Sequence, residues 1–373
     1  MERDIFAAIL VQAVKDNCSD IHLKADYPPF FRINGFLVEK GKQKLSSQHT
    51  FTIANYLLEG RGLVLVQKSN ATYINDLARS KVEILTDVDT AYDLPNLARF
   101  RVNIYKNRGS IGIAMRLIPH EVKGFKELNL PDAIEKIGSL RRGLILVTGA
   151  TGMGKSTTIT SILNHINHAR TDHILTIEDP IEFILKPEQS VITQREIPTD
   201  VQSFTEAIRA AMRQNPDVLM IGEMRNSDAA EIALKASETG HLVLSSLHTP
   251  NAAQTISRFL SFFDAPSQPI ARLRLADNLM AIISLRLLPR IDRVGMIPAV
   301  EILRTTRIIQ DCIKAPERNN EITGFMSKSR DYGMQTFDQH LIELIQSKKI
   351  SLAVGLAAAT SPSDLERSIQ FGE

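Results

Sequence analysis

Eight residues, Gly149 to Ser156, read G-A-T-G-M-G-K-S and fit the pattern G-x-x-x-x-G-K-[ST]. The chemistry they suit is capture of a nucleotide's phosphates. Those groups pack several negative charges into a small volume. Backbone N–H groups of a tight loop can surround them only where side chains do not block the approach, a need that Gly149, Gly152 and Gly154 meet. The apolar run "LILV" precedes the loop and the helical pattern "TTITSILNHI" follows. The loop should therefore open onto a helix amino terminus, whose N–H groups and dipole favour anions. Lys155 is expected to reach the β- and γ-phosphates and the Ser156 hydroxyl to ligate Mg2+. Ala150, Thr151, Met153 and Thr157 complete the expected ATP-binding stretch.

Hydrolysis needs more than binding: an oriented water and a way to hold the metal. "ILTIEDPIEF" puts Glu178 and Asp179 at the end of an apolar run, and "PDVLMIGEMRN" does the same for Glu223. Either Glu178 or Glu223 could polarise water, with the other holding Mg2+ through its shell. "ETGHLVLSSLHT" carries His241 and His248 at the two ends of a strand. His248 falls at the carboxyl end, where a γ-phosphate should lie, and is the stronger candidate for sensing it. Neither histidine has companions at zinc-ligand spacing.

These residues need a scaffold. "GLILVTGA", "HILTIED", "DVLMIGE" and "HLVLSSLH" are short continuous apolar runs, each leading to polar residues and then a helical stretch. That alternation implies a parallel sheet covered by helices on both faces, with ligands at the carboxyl ends of its strands. Residues 1–118 read differently, as α+β. "DIFAAILVQAVKD" has helical spacing, "SDIHLKA" and "PFFRING" read as strands with a hairpin signal at Asn34-Gly35, and "RFRVNIYKNRGSIGIAMRLI" reads as two strands around Asn107-Arg108-Gly109. The segment 67–90 has no clear period. "PHEVKGF", residues 119–125, reads as a linker. The expected core spans 126–300, and 301–373 reads as helical, with Ser363 and Glu366 as a capping box for the last helix.

Four motifs thus stand in order: "GATGMGKST", "TIEDPIEF", "AIRAAMRQNPDVLMIGEMR" and "TGHLVLSSLHT". Together they resemble the Walker A, Asp box, Walker B and His box of the type II/type IV secretion ATPase superfamily. "SDIHLKADYPPFFRING" is similar to the opening of that family's PAS-like domain, and "LARFRVNIYKNRGSIGIAMRLIP" to its arginine-bearing end. The tail "YGMQTFDQHLIELIQSKKIS" resembles those of PilT- and PilU-type pilus retraction ATPases, and relatives of the Dot/Icm kind share the four motifs. In PilT-type chains an "AIRNLIRE"-like helix stands where this one has "TTRIIQDCIKAPERNNEI"; "SPSDLERSI" is nearer the PilU type.

The resemblance implies a PAS-like α+β amino-terminal domain, a RecA-like P-loop ATPase domain and a helical carboxyl-terminal region, assembled as a homohexamer that turns ATP hydrolysis into domain motion. It links Glu223 to catalysis and Glu178 to metal and water. It implies that Arg101 and Arg116 reach ATP at a subunit interface, and that Arg209, Arg213 and Arg225 match further family arginines. Expected partners are inner-membrane platform or secretion-complex proteins, through which a cytoplasmic protein would associate with the membrane.

Composition constrains the alternatives. Of 373 residues, 44 are basic and 42 acidic, a net charge of +2 that gives no general footprint for nucleic acid. A ring-forming nucleic-acid translocase would want a basic, aromatic channel, yet aromatics are 6% and Trp is absent. No direct nucleic-acid contact is expected. A small-molecule kinase would explain the loop but not the paired acids or the amino-terminal domain. Cys18 and Cys312 stand far apart, so a disulfide framework is not expected and a reducing compartment fits. "MERDIFAAILVQAVKDN" lacks the form of a signal peptide, and no apolar run reaches the ~18 residues of a membrane span.

Overall fold

A computed structural model describes residues 2–33, 35–59, 63–68, 71–76, 81–95, 97–118, 122–197, 199–292 and 295–371. The chain forms two units, Met1–Glu121 with Glu182–Ile184, and Val122–Ile181 with Leu185–Glu373.

In the first unit, α1 (Glu2–Lys15) is followed by β1 (Asp20–Leu23), β2 (Phe30–Ile33), β3 (Phe36–Glu39) and α2 (Ser47–Glu59). Then come β4 (Leu63–Lys68), β5 (Ala71–Asp76), β6 (Lys81–Ile84), β7 (Asp87–Leu94), β8 (Ala98–Asn107) and β9 (Ser110–Ile118). Phe6, Leu10 and Ala13 make the buried stripe of α1, three to four residues apart as a helix face requires. Phe100, Val102 and Ile104 alternate inward along β8. The main sheet runs β3-β2-β1-β9-β8-β7 with antiparallel neighbours. The β8–β9 hairpin closes on Arg108 (φ 49°) and Gly109 (φ 85°), two consecutive left-handed residues as a type I′ turn demands. Asn34 of the other expected hairpin lies outside the described residues. The stretch 67–90, without a period in the sequence, carries most of a small separate sheet, β4-β5-β6, and the start of β7.

The second unit holds α3 (Ala133–Gly138), β10 (Gly143–Thr148), α4 (Lys155–Ala169), β11 (His173–Glu178), β12 (Val191–Glu196), α5 (Phe204–Ala211), β13 (Val218–Ile221), α6 (Ser227–Glu238), β14 (Leu242–Leu247), α7 (Ala252–Leu260), α8 (Gln268–Asn278), β15 (Leu279–Pro289) and β16 (Met296–Arg304). Helices α9 (Arg307–Lys314), α10 (Ile322–Ser327), α11 (Phe337–Gln346), α12 (Leu352–Ala358) and α13 (Pro362–Phe371) follow. The strand order is β12-β11-β13-β14-β10-β15-β16, parallel throughout except for the antiparallel β15–β16 pair. All residues of β10, β13 and β14 are buried, because helices cover both faces. Each fully buried Leu, Ile or Val there contributes roughly 1.5–3 kcal/mol, so the strand ends are rigid mounts for polar side chains.

Three departures from the sequence reading stand out. Residues 122–125 of the expected linker belong to the second unit, where Val122 and Phe125 pack on its core; residues 119–121 lie outside the described residues. The expected boundary at 300/301 falls inside β16, which pairs with β15 from Arg304 to Met296, so the helical tail begins only at α9. Ser363 lies within α13, and the reciprocal capping box stands instead at Thr336 and Gln339, at the start of α11. There the Thr336 hydroxyl accepts from the N3 amide, which Ser363, already inside its helix, is not placed to do.

Candidate nucleotide-binding active site

The loop leaves β10 at Thr148 and enters α4 at Lys155. Gly149 has φ 144°, and a Cβ there would meet the Leu285 carbonyl oxygen at 2.6 Å, so only glycine lets the loop pass so close to β15. Gly154, with φ 88°, turns the chain into the helix. Ala150, Thr151 and Gly152 are exposed, while Met153, Ser156 and Thr157 are half-buried. The Met153 Sδ accepts the Leu287 N–H at 3.2 Å and ties the loop to β15.

Lys155 is buried beneath the loop. Its Nζ donates to the carbonyls of Gly149 (2.9 Å) and Ala150 (3.0 Å) and lies 3.4 Å from His248 Nδ1. An ammonium has donors only, so Nδ1 facing it serves as acceptor and the His248 proton sits on Nε2. That nitrogen is 3.2 Å from Glu223 Oε2, to which it donates. Arg225 pairs with the other oxygen of Glu223, lies 3.6 Å from Asp179 Oδ2, and stacks 5.8 Å from the Phe204 ring centre. The turn carrying Glu223 is fixed by Ser246, whose hydroxyl donates to the Gly222 carbonyl at 2.7 Å. One polar chain thus links Lys155, His248, Glu223, Arg225 and Asp179, drawn from the ends of β10, β14, β13 and β11. Glu178, the last residue of β11, is buried, and its Oε1 accepts from Thr176 Oγ1 (2.6 Å) and Gln194 Nε2 (3.1 Å).

The other candidates stand elsewhere. His241 precedes β14 at its amino end, about 23 Å from His248 along the strand. Its Nδ1 contacts the Ala236 carbonyl (3.0 Å) and Thr239 Oγ1 (3.1 Å), where it closes the turn after α6. Arg209 is exposed on α5, 3.7 Å from Asp228, and Arg213 donates to the Arg209 carbonyl. Arg101 and Arg116 belong to the first unit and face each other on β8 and β9. Both are exposed, and Arg116 Nε bonds Asp20 at 2.9 Å. Burial of Asp20 opposes its ionisation, but the hydrogen bonds from Arg116 and Ser19 outweigh it and hold the carboxyl below its usual range.

Sequence reasoning missed Thr176, Gln194 and Phe204 as supports, and it named Asp179 without giving it a role. Thr176 was findable, since two residues along a strand share a face with Glu178. Gln194 was not, because it sits opposite Thr176 on β12, a strand the sequence did not announce.

Residues 98–352 match the family described as type II/IV secretion system protein. The chain belongs to that family. The type IV pilus ATPase PilU of Pseudomonas aeruginosa is 34% identical over 98% of this chain and 92% of its own length. The crystal structure of the pilus retraction motor PilT with bound ADP superposes with a TM-score of 0.84, at 36% identity, over 97% of this chain and 98% of that one. The ATPase DotB of Legionella pneumophila superposes with a TM-score of 0.76, at 27% identity, covering 94% of both chains. This member of the family is an ATP-hydrolysing enzyme of PilT type, and ATP is its nucleotide. Its fold is that of the RecA-like P-loop ATPase with an amino-terminal domain. As a motor ATPase it falls among those of pili and secretion systems. Among the described residues, no helix is long and apolar enough to cross a membrane.

Proposed function

We propose that the chain works as a homohexamer on the cytoplasmic side of an inner membrane, where it converts ATP hydrolysis into retraction of a type IV pilus. The observation that carries the chemistry is the Lys155–His248–Glu223 chain at the carboxyl ends of three parallel strands. Lys155 exchanges its two loop carbonyls for the β/γ-phosphates, while the amides of residues 149–157 surround them. Glu223, oriented by the His248 Nε2–H and by Arg225, accepts the proton of the attacking water. His248 stands between the phosphate-seeking lysine and the base, so it registers whether Lys155 has turned to a γ-phosphate.

The residues present suit magnesium. Ser156 offers a hydroxyl in the first turn of α4 and Glu178 a buried carboxylate, the oxygen donors this hard cation takes. Bound there, Mg2+ would neutralise charge on the β- and γ-phosphates. Thr176 and Gln194 hold the Glu178 carboxylate in place.

Arg101 and Arg116 serve the nucleotide of a neighbouring subunit in this reading. Like charges directly opposite on adjacent strands repel, and Asp20 bonds only the Arg116 side of the pair among the described residues. An incoming anion would relieve that repulsion, and cations at developing phosphoryl charge speed hydrolysis. Arg209, Arg213 and Arg225 bear on the nucleotide less directly: Arg225 through Glu223, Arg209 from the exposed face of α5 and Arg213 from the turn that follows it. Platform proteins of the pilus would bring the ring to the membrane. The higher identity to PilT (36%) and PilU (34%) than to DotB (27%) supports a pilus over a secretion channel.

Two measurements test this. Light scattering with a non-hydrolysable ATP analogue should give six times the 41.6 kDa chain mass. Expression in a strain lacking its own retraction ATPase should restore pilus retraction. A monomer under all nucleotide conditions, or a retraction defect left unchanged by well-expressed protein, would refute the reading.

A further inference from the structure

Glu301, on β16, is a charged residue buried in the second unit and used by none of the chemistry above. Its Oε1 accepts the N–H of Ala252 at 2.7 Å, and the N–H of Phe337 is near enough to favour the charged carboxylate. Ala252 is the first residue of α7, four residues after His248. Phe337 is the first residue of α11, the helix that opens the carboxyl-terminal layer. One buried carboxylate therefore bonds the first turn of α7 and faces that of α11, a placement that both helix dipoles favour.

What lies on either side gives the junction its meaning. Toward the loop, Thr148, Ser284 and Glu301 occupy matched positions across β10, β15 and β16. All three are buried, and Thr148 Oγ1 donates to Ser284 Oγ at 2.9 Å just before the loop begins. Toward the tail, helices α11 to α13 pack on β15 and β16 through a small core of their own, which includes Leu288, Ile297, Phe337 and Leu365. Arg286 stacks on Phe337, 3.9 Å from its ring centre, and donates to the Ala358 carbonyl. Asp338 accepts the N–H groups of Thr360 and Ser361. The tail thus has its own packing and its own caps. Glu301 lies on β16 beside Val300, whose N–H bonds His340 of α11, and it bonds Ala252 in the segment that follows His248.

From this we infer that Glu301 is a positioning residue that couples the nucleotide state sensed at His248 to the carboxyl-terminal helices, by holding the starts of α7 and α11 in one register. A shift of His248 toward a γ-phosphate displaces the start of α7, and the shared carboxylate carries that displacement to α11. This rests on the site assignment above, with His248 beside the phosphates. Burial works against ionisation here and pushes the Glu301 carboxyl up to about 7, while the N–H groups of Ala252 and Phe337 favour the charged form. A group so disfavoured in its place persists where its hydrogen bonds matter.

The test uses the full chain and three variants. Glu301→Ala removes the bond to Ala252 and the carboxylate that Phe337 faces. Glu301→Gln keeps an acceptor oxygen in the same volume. Ala252→Pro deletes only the α7 donor, at a first helical position where proline is well tolerated and after Asn251, whose extended backbone suits a following proline. Amide hydrogen exchange of residues 337–371 is followed with ADP and with a non-hydrolysable ATP analogue, alongside kcat and ADP affinity. In the wild type the two nucleotides should give different exchange in this region. In Glu301→Ala and Ala252→Pro that difference should vanish and kcat should fall about tenfold, with ADP affinity changed less than about twofold; Glu301→Gln should keep about half of the difference. Should Glu301→Ala fail to fold, Ala252→Pro decides alone. A wild-type nucleotide response in Ala252→Pro would overturn the inference. Absence of nucleotide binding by the wild type would overturn both it and the site on which it rests.

Discussion

At the carboxyl end of the parallel sheet, His248 lies between Lys155 and Glu223; at the amino end, His241 and His173 turn to their local surroundings. His173 contacts Thr193 at 2.9 Å and the Asn215 carbonyl at 3.4 Å, and these contacts serve to close the edge of the sheet. The residue type is the same, and β11 and β14 run parallel in one sheet with β13 between them. What differs is which end of a parallel strand the side chain occupies. Carboxyl ends converge on the loop and helix terminus that gather anions, whereas amino ends meet only returning helices. Strand polarity, more than the histidine itself, assigns the role.

Breaking the carboxyl end should therefore cost far more than breaking the amino end. Lys155→Ala should lower ATP turnover by about 10^3 or more in a phosphate-release assay, since no other cation among the described residues sits under the loop. His248→Ala should lower it by about 10^2, while His241→Ala should stay within about threefold. Equal losses for the two histidines would erase the contrast. Arg101→Ala or Arg116→Ala should cost about tenfold, and mixing either variant with Lys155→Ala subunits should restore part of the activity. Strict proportionality to each variant's own activity, at every mixing ratio, would exclude trans arginines.

A smaller effect tests a histidine away from both ends. His340 on α11 accepts the Val300 N–H at 2.9 Å through Nδ1, and burial pushes its pKa down to about 4. Its unfolded value is about 6.5, so below that pH the unfolded chain binds the extra proton first. The stability that neutral His340 contributes is therefore present above pH 6.5 and lost as pH falls toward 4. The stability of the wild type relative to His340→Asn, whose amide oxygen can replace Nδ1 as acceptor, should fall by about 3 kcal/mol across that window. A difference independent of pH in denaturant titrations would contradict the assignment.

The same contrast explains what the sequence made legible. The runs 143–148, 173–178, 218–221 and 242–247 are buried on both faces and so read as unbroken apolar segments. Each of them ends in the residues that carry the site. β12 escaped notice because it is an edge strand with Val191 65% exposed and a polar sequence, and Gln194 went with it. β15 escaped because its apolar run continues directly from α8 with no turn residue between them. The stretch 67–90 is divided between the small β4-β5-β6 sheet and the start of β7 in the main sheet, so no single period runs through it. The capping box was misplaced because Ser-x-x-Glu recurs by chance, and only the backbone shows which serine or threonine precedes a helix. Local chemistry was thus readable wherever burial wrote it as a pattern, and hidden wherever tertiary pairing alone created it.

Phosphate release by Glu223→Gln, measured beside its ATP affinity, probes the carboxyl-end site most directly. The substitution keeps the side chain's size and its contact with His248 but removes the basic oxygen. Affinity within about threefold of the wild type, with turnover reduced by about 10^3, is the expected result. Wild-type turnover by this variant would show that water is activated elsewhere and that the chain from Lys155 to Glu223 is not the catalytic one.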